Sequence, residues 1–292
     1  MKEIRGVITA MVTPFDASGA VDFVAARKLA AHLVANGSHG LVLCGSTGES
    51  ATVTDPEGFK LLEAVREEVG GDVLLAFGTG TNDTRHSVEL TRTAAEMGAD
   101  AALVVTPYYN KPNPAGIVAH FETVAAAASQ MPVIAYNIPS RVVVNVPPSL
   151  LAELAKIDNV VAVKQANNDD LQQVEGLRLL AGNDDVFLRT LELGGAGGIL
   201  VASHLVGRQM REMWDAAEVG DLERACEVNS GLRQVYDAMG VTTNPIPVKA
   251  ALEMTGLIPS GGLRLPLVRA DEEQRDVVRA ALESVGQTPV NQ

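Results

Sequence analysis

Short runs of Val, Ile, Leu and Ala recur along the chain, each followed by a longer segment in which charges and alanines have helical spacing. Apolar runs of this length are typical of strands buried on both faces of a parallel sheet. Eight of them predict strands at residues 6–12, 40–44, 73–77, 101–106, 133–136, 160–164, 186–189 and 198–202. Helices are expected between them, for example at 22–36, 55–69 and 82–97.

Eight strand–helix units predict an α/β fold of the (β/α)8 TIM barrel type. A doubly wound open sheet is the structural alternative. Such sheets usually have fewer strands, and no GxGxxG motif follows the first apolar run. The barrel is therefore the favoured architecture.

Beyond residue 219 the strand pattern stops, and three helical patterns follow at 221–239, 245–255 and 272–285. No Ser/Gly-rich linker precedes them, so we expect a barrel at 1–219 and a C-terminal three-helix extension at 220–292 that packs on it. Asn244 is predicted to cap the middle helix, with Pro245 as its first residue, and Asp55 to cap the 55–69 helix.

Charge narrows the possible partners. The 23 Lys and Arg against 36 Asp and Glu give a net charge of −13, which repels phosphate backbones and anionic lipids, so neither nucleic acid nor membrane is an expected partner.

No apolar run is long enough to span a bilayer, and the two cysteines form no disulfide framework. We expect a cytoplasmic protein. The five histidines share no ligand spacing, so no metal is expected.

Barrel enzymes place reactive groups at the C-terminal ends of their strands. Lys164 ends the buried run 160–163, where its ammonium loses hydration. Desolvation lowers a lysine pKa, and a neutral amine can form a Schiff base with a carbonyl substrate. The alternative is a lysine that packs its stem and pairs its ammonium with a carboxylate at the barrel mouth.

Other strand ends carry weaker signals. Residues 45–50, here called the 45–50 turn, offer hydroxyls and backbone N–H groups that suit a small carboxylate, or form a tight turn that only needs its glycines. Tyr136 and Tyr109 are suited to proton transfer or to packing at the rim. Arg141 is suited to binding a carboxylate bidentately, or is an exposed solubilising residue.

Four segments occur in order at the predicted strand ends: GSTGE at 45–49, TPYYNKP at 106–112, YNIPSR at 136–141 and VKQ at 163–165. Together they resemble the dihydrodipicolinate synthase/N-acetylneuraminate lyase family of pyruvate-dependent class I aldolases. The similarity extends over nearly the whole chain. It favours the catalytic interpretation of Lys164 over the structural one.

The resemblance implies a role for each motif residue. Lys164 would form the imine with pyruvate, with no other cofactor, and Tyr136 would donate and accept protons beside it. Thr47 would hold the pyruvate carboxylate, and Ile199 would offer its backbone carbonyl. Ser46 and Tyr109 would complete a hydroxyl relay, with Tyr109 lent by the adjacent subunit of a homo-oligomer, expected to be a dimer of dimers.

Two features favour the synthases of this family, which join pyruvate to L-aspartate 4-semialdehyde in the diaminopimelate route to lysine. Arg141 lies where they bind the semialdehyde carboxylate, and residues 244–249 (NPIPVK), here called the 244–249 segment, match their C-terminal motif. Ser46 and Gln165 instead resemble the lyases, and the pair at 167–168 departs from the common Thr-Gly.

Three interpretations of function follow. The first is the synthase reaction. The second is another 2-oxo acid aldolase, which cleaves N-acetylneuraminate, 2-keto-3-deoxygluconate or 4-hydroxy-2-oxoglutarate. The third is a catalytically silent protein that senses a 2-oxo acid. Within the first, Asp55, Gly58 and His86 replace the two histidines and the glutamate of lysine-sensitive synthases, so weak or absent inhibition by L-lysine is expected.

Overall fold

The computed structural model describes residues 2–289. Eight parallel strands form a closed barrel in sequence order, as the apolar pattern predicted. The strands are β1 (Gly6–Ala10), β2 (Gly40–Leu43), β3 (Leu74–Gly78), β4 (Ala101–Val105), β5 (Val133–Asn137), β6 (Val160–Gln165), β7 (Arg178–Ala181) and β8 (Gly197–Leu200).

The described residues form eleven α-helices, most of them at the predicted places. They are α1 (Phe23–Ala35), α2 (Asp55–Val69), α3 (Thr84–Glu96), α4 (Pro114–Ala126), α5 (Pro139–Val142), α6 (Pro148–Leu154), α7 (Phe187–Glu192), α8 (Ser203–Glu218), α9 (Leu222–Met239), α10 (Ile246–Met254) and α11 (Glu272–Ser284). Short 3₁₀ helices cover Asn168–Asp170 and Asp184–Val186. No helix among residues 2–289 is long and apolar enough to cross a membrane.

Polar side chains start several helices. Asp22, Asp83, Asn113, Asp221 and Asp271 each accept a hydrogen bond from a backbone N–H in the first turn of the helix that follows. Such caps satisfy donors that have no partner inside a helix. The chain thus marks its own helix boundaries locally.

Two predicted caps are wrong by one residue. The helix α2 is capped by Thr54, whose backbone N–H donates to Glu57 Oε2 at 2.9 Å, so Asp55 is the first helical residue. The helix α10 starts at Ile246 with Pro245 before it. Asn244 does not cap this helix, because its side chain donates to another segment of the chain.

The seventh strand was predicted in the wrong place. Residues 186–189 belong to a 3₁₀ turn and α7, and the strand is Arg178–Ala181, which pairs with β6. A short apolar run has no periodicity that separates a strand from a buried helical turn, and both segments are apolar. Gly182 follows the true strand, and a larger residue would not fit there because a Cβ would lie 2.6 Å from the Gln165 carbonyl oxygen.

By backbone contacts the chain divides into two compact units. The first contains residues up to Gly6 and Leu74–Ile199, and the second contains Val7–Val73 and the residues from Leu200 onward. The predicted boundary at 219/220 remains a prediction about domains.

In the first unit, β3 to β7 pair in parallel, and α4 and α6 cover β4 to β7 with a buried apolar core. This core includes Phe121, Val124, Leu151, Leu154, Val163 and Leu179. In the second unit, β1 pairs with β2, α1 contacts α2, and α9 contacts both α8 and α11.

Candidate active site

Lys164 lies near the C-terminal end of β6, with its side chain in the protein interior. Only 5% of the surface of this residue is exposed to solvent. In the strand register it faces Tyr136 of β5 on one side and Leu180 of β7 on the other. The Nζ atom lies 4.3 Å from the centroid of the Tyr136 ring, which is itself buried. Two of the predicted catalytic residues are therefore in contact.

Burial changes the acidity of Lys164. Desolvation lowers the pKa of its ammonium to about 7, with Asp184 acting to raise the pKa and Arg141 to lower it. A lysine with this pKa is about half neutral at pH 7, whereas one with the usual value of about 10.4 is almost wholly charged. The site therefore supplies a neutral amine, which is the nucleophile that attacks a carbonyl carbon.

Arg141 lies in the short helix α5, four residues after the end of β5. Its side chain is exposed, and its charge contributes to the low pKa of Lys164. Val143, next to α5, has a φ of +71°, a left-handed conformation that ends the helix sharply. The charge of this guanidinium therefore acts on the amine that would form the imine.

A buried amide group anchors the segment that carries Arg141. The Asn137 amide Nδ2 donates to Val146 O, to Asn145 Oδ1 and to Gln165 Oε1, at distances between 2.9 and 3.2 Å. In return the Val146 N–H donates to Asn137 Oδ1 at 3.0 Å. The side chain of Asn137 thus joins the two ends of the segment 137–146.

Gln165 continues this network on the neighbouring strand. Its Oε1 also accepts from the Asn167 N–H at 2.9 Å, and Asn167 and Asn145 both donate to Asp170 Oδ2. The residues that depart from the common synthase pattern at 165 and 167 are therefore members of one hydrogen-bonded network around the ends of β5 and β6.

The 45–50 turn lies in the second unit. Thr47 is buried, and its Oγ1 accepts a hydrogen bond from Asn244 Nδ2 at 2.8 Å. The carbonyl oxygen of Gly48 accepts from Thr13 Oγ1 at 2.7 Å. Ser46 is half-buried, and its carbonyl oxygen accepts from the Glu49 N–H.

The other predicted site residues differ in how much of their surface is exposed. Tyr109 is 86% exposed and has a φ of +72°, which is unusual for a bulky side chain. Ile199 is fully buried in β8. The catalytic and binding roles of Ser46, Thr47, Tyr109, Arg141 and Ile199 remain predictions. In the described part of the chain, no group of three or more His, Cys, Asp or Glu side chains is placed to hold a metal.

Sequence reasoning missed the roles of two polar residues, Asp184 and Lys249. Asp184 was hidden by the misplaced seventh strand, because it follows the true end of β7. Lys249 of α10 is fully buried and pairs with Glu49 of the 45–50 turn, with 2.5 Å between Nζ and Oε1. A signal for Lys249 existed, since apolar residues surround it in the sequence on both sides.

A parallel barrel that buries a weakly basic lysine against a tyrosine at the end of its sixth strand has the features that an imine-forming enzyme needs. The family model for the dihydrodipicolinate synthetase family matches residues 3–285. The 4-hydroxy-tetrahydrodipicolinate synthase of Thermosynechococcus vestitus is 44% identical over 294 residues, which cover 98% of this chain and 99% of that protein. The chain belongs to the dihydrodipicolinate synthetase family.

Solved structures agree with this assignment. DHDPS from Cyanidioschyzon merolae, solved with lysine bound, is 37% identical with a TM-score of 0.93, covering 97% of this chain and 98% of that one. A dihydrodipicolinate synthase variant characterised as monomeric is 38% identical with a TM-score of 0.92, covering 97% of both chains. The fold and family predicted from the sequence are confirmed.

Proposed function

We propose that this chain is a lyase of the class I aldolase type that condenses pyruvate with L-aspartate 4-semialdehyde to 4-hydroxy-tetrahydrodipicolinate. The observation that carries the proposal is the buried Lys164, whose pKa of about 7 leaves a neutral amine at physiological pH. The relatives support the choice of reaction, since they carry the synthase name over nearly the full length of this chain.

The chemistry follows from an imine on Lys164. The neutral amine attacks the keto carbon of pyruvate and expels water, and the resulting iminium withdraws electrons from the adjacent methyl group. Loss of a methyl proton gives an enamine, whose carbon attacks the aldehyde carbon of the second substrate. The amino group of that substrate then displaces Lys164 from the imine carbon, which closes the ring and frees the enzyme.

Other residues take the roles that the family resemblance assigns. Tyr136, in contact with the Lys164 ammonium, transfers protons during imine formation. Ser46 and Tyr109 extend its hydroxyl relay, and Tyr109 comes from a neighbouring copy in a homo-oligomer. The next three roles concern binding: Thr47 holds the pyruvate carboxylate, Arg141 binds the semialdehyde carboxylate, and Ile199 presents its backbone carbonyl to the imine.

A coupled assay of the purified protein, with pyruvate and a panel of aldehydes, tests the reaction. The proposal expects L-aspartate 4-semialdehyde to give the highest kcat/KM. A preference for N-acetylmannosamine, glyceraldehyde or glyoxylate would identify another aldolase of this family. Binding of pyruvate without turnover of any aldehyde would identify a sensor.

The Arg141→Ala variant tests whether Arg141 binds the carboxylate of the aldehyde substrate. Loss of a charge-assisted contact to a carboxylate should lower kcat/KM for the semialdehyde by about tenfold or more. Formation of the pyruvate imine should remain. Arg189→Ala removes an exposed arginine of α7 paired with Glu192 and serves as the matched control. Equal kcat/KM values in the two variants would contradict the proposed role of Arg141.

A further inference from the structure

The 45–50 turn is bound from one side by the 244–249 segment. Asn244 Nδ2 donates to Thr47 Oγ1 at 2.8 Å, and Lys249 Nζ lies 2.5 Å from Glu49 Oε1. These two contacts join residues about 200 positions apart, and all four belong to the second compact unit. None of the catalytic and binding roles proposed above uses a residue of the 244–249 segment.

The Asn244 contact fixes the direction of the Thr47 hydroxyl. An amide NH₂ group can only donate, so the Thr47 oxygen acts as the acceptor in this hydrogen bond. The hydroxyl hydrogen must then point to a different partner. Thr47 is only 3% exposed, so bulk water does not compete freely for that hydrogen. The result is a hydroxyl prepared to donate, which is what binding of a carboxylate requires.

The Lys249 contact holds the backbone of the same turn. Glu49 has a φ of +55°, a left-handed conformation that is uncommon for a residue with a side chain. Its side chain is buried between Lys249, which is fully buried, and the Arg264 backbone N–H, which donates to Oε2 at 3.1 Å. Lys249 also donates to the Gly262 carbonyl oxygen at 2.8 Å. Glu49 is therefore fixed from two sides.

We propose that Asn244 and Lys249 are positioning residues that prepare the 45–50 turn to bind the carboxylate of a 2-oxo acid. Asn244 acts through the Thr47 hydroxyl and Lys249 acts through Glu49. The inference rests on the proposed function, in which Thr47 holds the pyruvate carboxylate. It predicts that the two residues control the affinity for pyruvate and leave the aldehyde specificity unchanged.

A double-mutant cycle tests the Asn244 step. The readout is the pyruvate concentration that half-saturates formation of the borohydride-reduced adduct, with no aldehyde present. Asn244→Ala should raise this concentration by about tenfold, which corresponds to about 1.4 kcal/mol, because the Thr47 hydroxyl is no longer held ready to donate to the carboxylate. In the Thr47→Val background the same substitution should change it by less than about twofold, because the hydroxyl is already gone.

Asn244→Asp is the most demanding variant. Its carboxylate accepts the Thr47 hydroxyl hydrogen and adds a negative charge, so the half-saturating pyruvate concentration should rise further than in Asn244→Ala. An equal effect of Asn244→Ala in both Thr47 backgrounds, or tighter binding in Asn244→Asp, would overturn the inference.

Lys249→Met and Glu253→Gln form a matched pair within α10. Lys249→Met removes the contact with Glu49 and should raise the half-saturating pyruvate concentration by about tenfold. Glu253→Gln removes a charge one helical turn later, where the carboxylate pairs with Arg269 and Arg275 and accepts from the Gly261 N–H. It should lower the melting temperature and leave pyruvate affinity within about twofold. Equal affinities in the two variants contradict the role of Lys249.

The outcomes separate this inference from the proposed function. If the unmodified protein forms no adduct with pyruvate, the proposed function fails. If it forms the adduct and the Asn244 and Thr47 effects are additive, the function stands and the positioning role fails.

Discussion

At the residue scale, burial gives Lys164 its chemistry. The ammonium lies against the Tyr136 ring inside the barrel wall, and desolvation outweighs the opposing charge of Asp184. The sequence run before Lys164 was enough to predict burial and the direction of the pKa shift. The opposing effects of Asp184 and Arg141 depend on the loops after β5 and β7, which the sequence pattern placed incorrectly or left open.

The pH dependence of enamine formation tests this pKa. The neutral amine predominates above the pKa, so the rate of deuterium exchange into the pyruvate methyl group, measured by NMR at low pyruvate, should rise about tenfold between pH 6 and pH 8 for a pKa of about 7. The rate should level off above pH 8. If the exchange rate instead continued to rise about tenfold per pH unit up to pH 10, the amine would have an ordinary lysine pKa.

Asp184→Asn supplies the control for the sign of this effect. The Asp184 charge favours the ammonium form and raises the pKa, so its removal should move the midpoint of the same profile to lower pH. A midpoint that moves to higher pH would contradict the electrostatic account of the site.

At the element scale, the hydrogen bonds between β5, β6 and the segment that follows β5 are the features that the sequence did not reveal. Gln165 and Asn137 come from strands that the apolar pattern located well, yet their pairing depends on the register of β5 against β6. A register is a tertiary property, and one sequence contains no direct record of it. The contact between Lys249 and Glu49 was missed because it too is a tertiary contact, between residues 200 positions apart in the chain.

Asn137→Asp tests the importance of this network. The amide is 1% exposed and donates to three oxygens, so a carboxylate in its place would face three acceptors without a proton to share. The free energy of unfolding should fall by at least about 3 kcal/mol, measured by urea denaturation, because a buried unsatisfied group costs about 1–3 kcal/mol and a charged one costs more.

Asn145→Ala is the matched control at the exposed end of the same network. Water can replace the lost amide there, so the expected loss is about 1 kcal/mol or less. Equal losses in the two variants would show that burial of the Asn137 amide does not determine the stability of the segment.

At the scale of the whole molecule, the oligomeric state remains a prediction, and it can be tested at Tyr109. A tyrosine that is 86% exposed in a left-handed conformation contributes little to the stability of a single chain. The family resemblance gives it a role only in an assembly in which its hydroxyl reaches the active site of a neighbour. The sequence therefore predicts an oligomer, whose size remains a prediction.

Tyr109→Phe should lower kcat by about tenfold or more with little change in the half-saturating pyruvate concentration, because only the proton-relaying hydroxyl is lost. Tyr108→Phe, at the neighbouring and less exposed position, provides the control. Dilution that dissociates the protein, followed by analytical ultracentrifugation, should reproduce the loss. Full activity in a verified monomer would refute a shared site.

Borohydride trapping with peptide mapping tests the central claim most directly. The chain contains seven lysines, and only Lys164 combines a strand-end position with burial against Tyr136. Treatment with pyruvate and borohydride should place a reduced three-carbon adduct on the peptide that contains Lys164 and on no other. Lys164→Ala should abolish the adduct. An adduct on a different lysine, or none on the unmodified protein, would contradict the account.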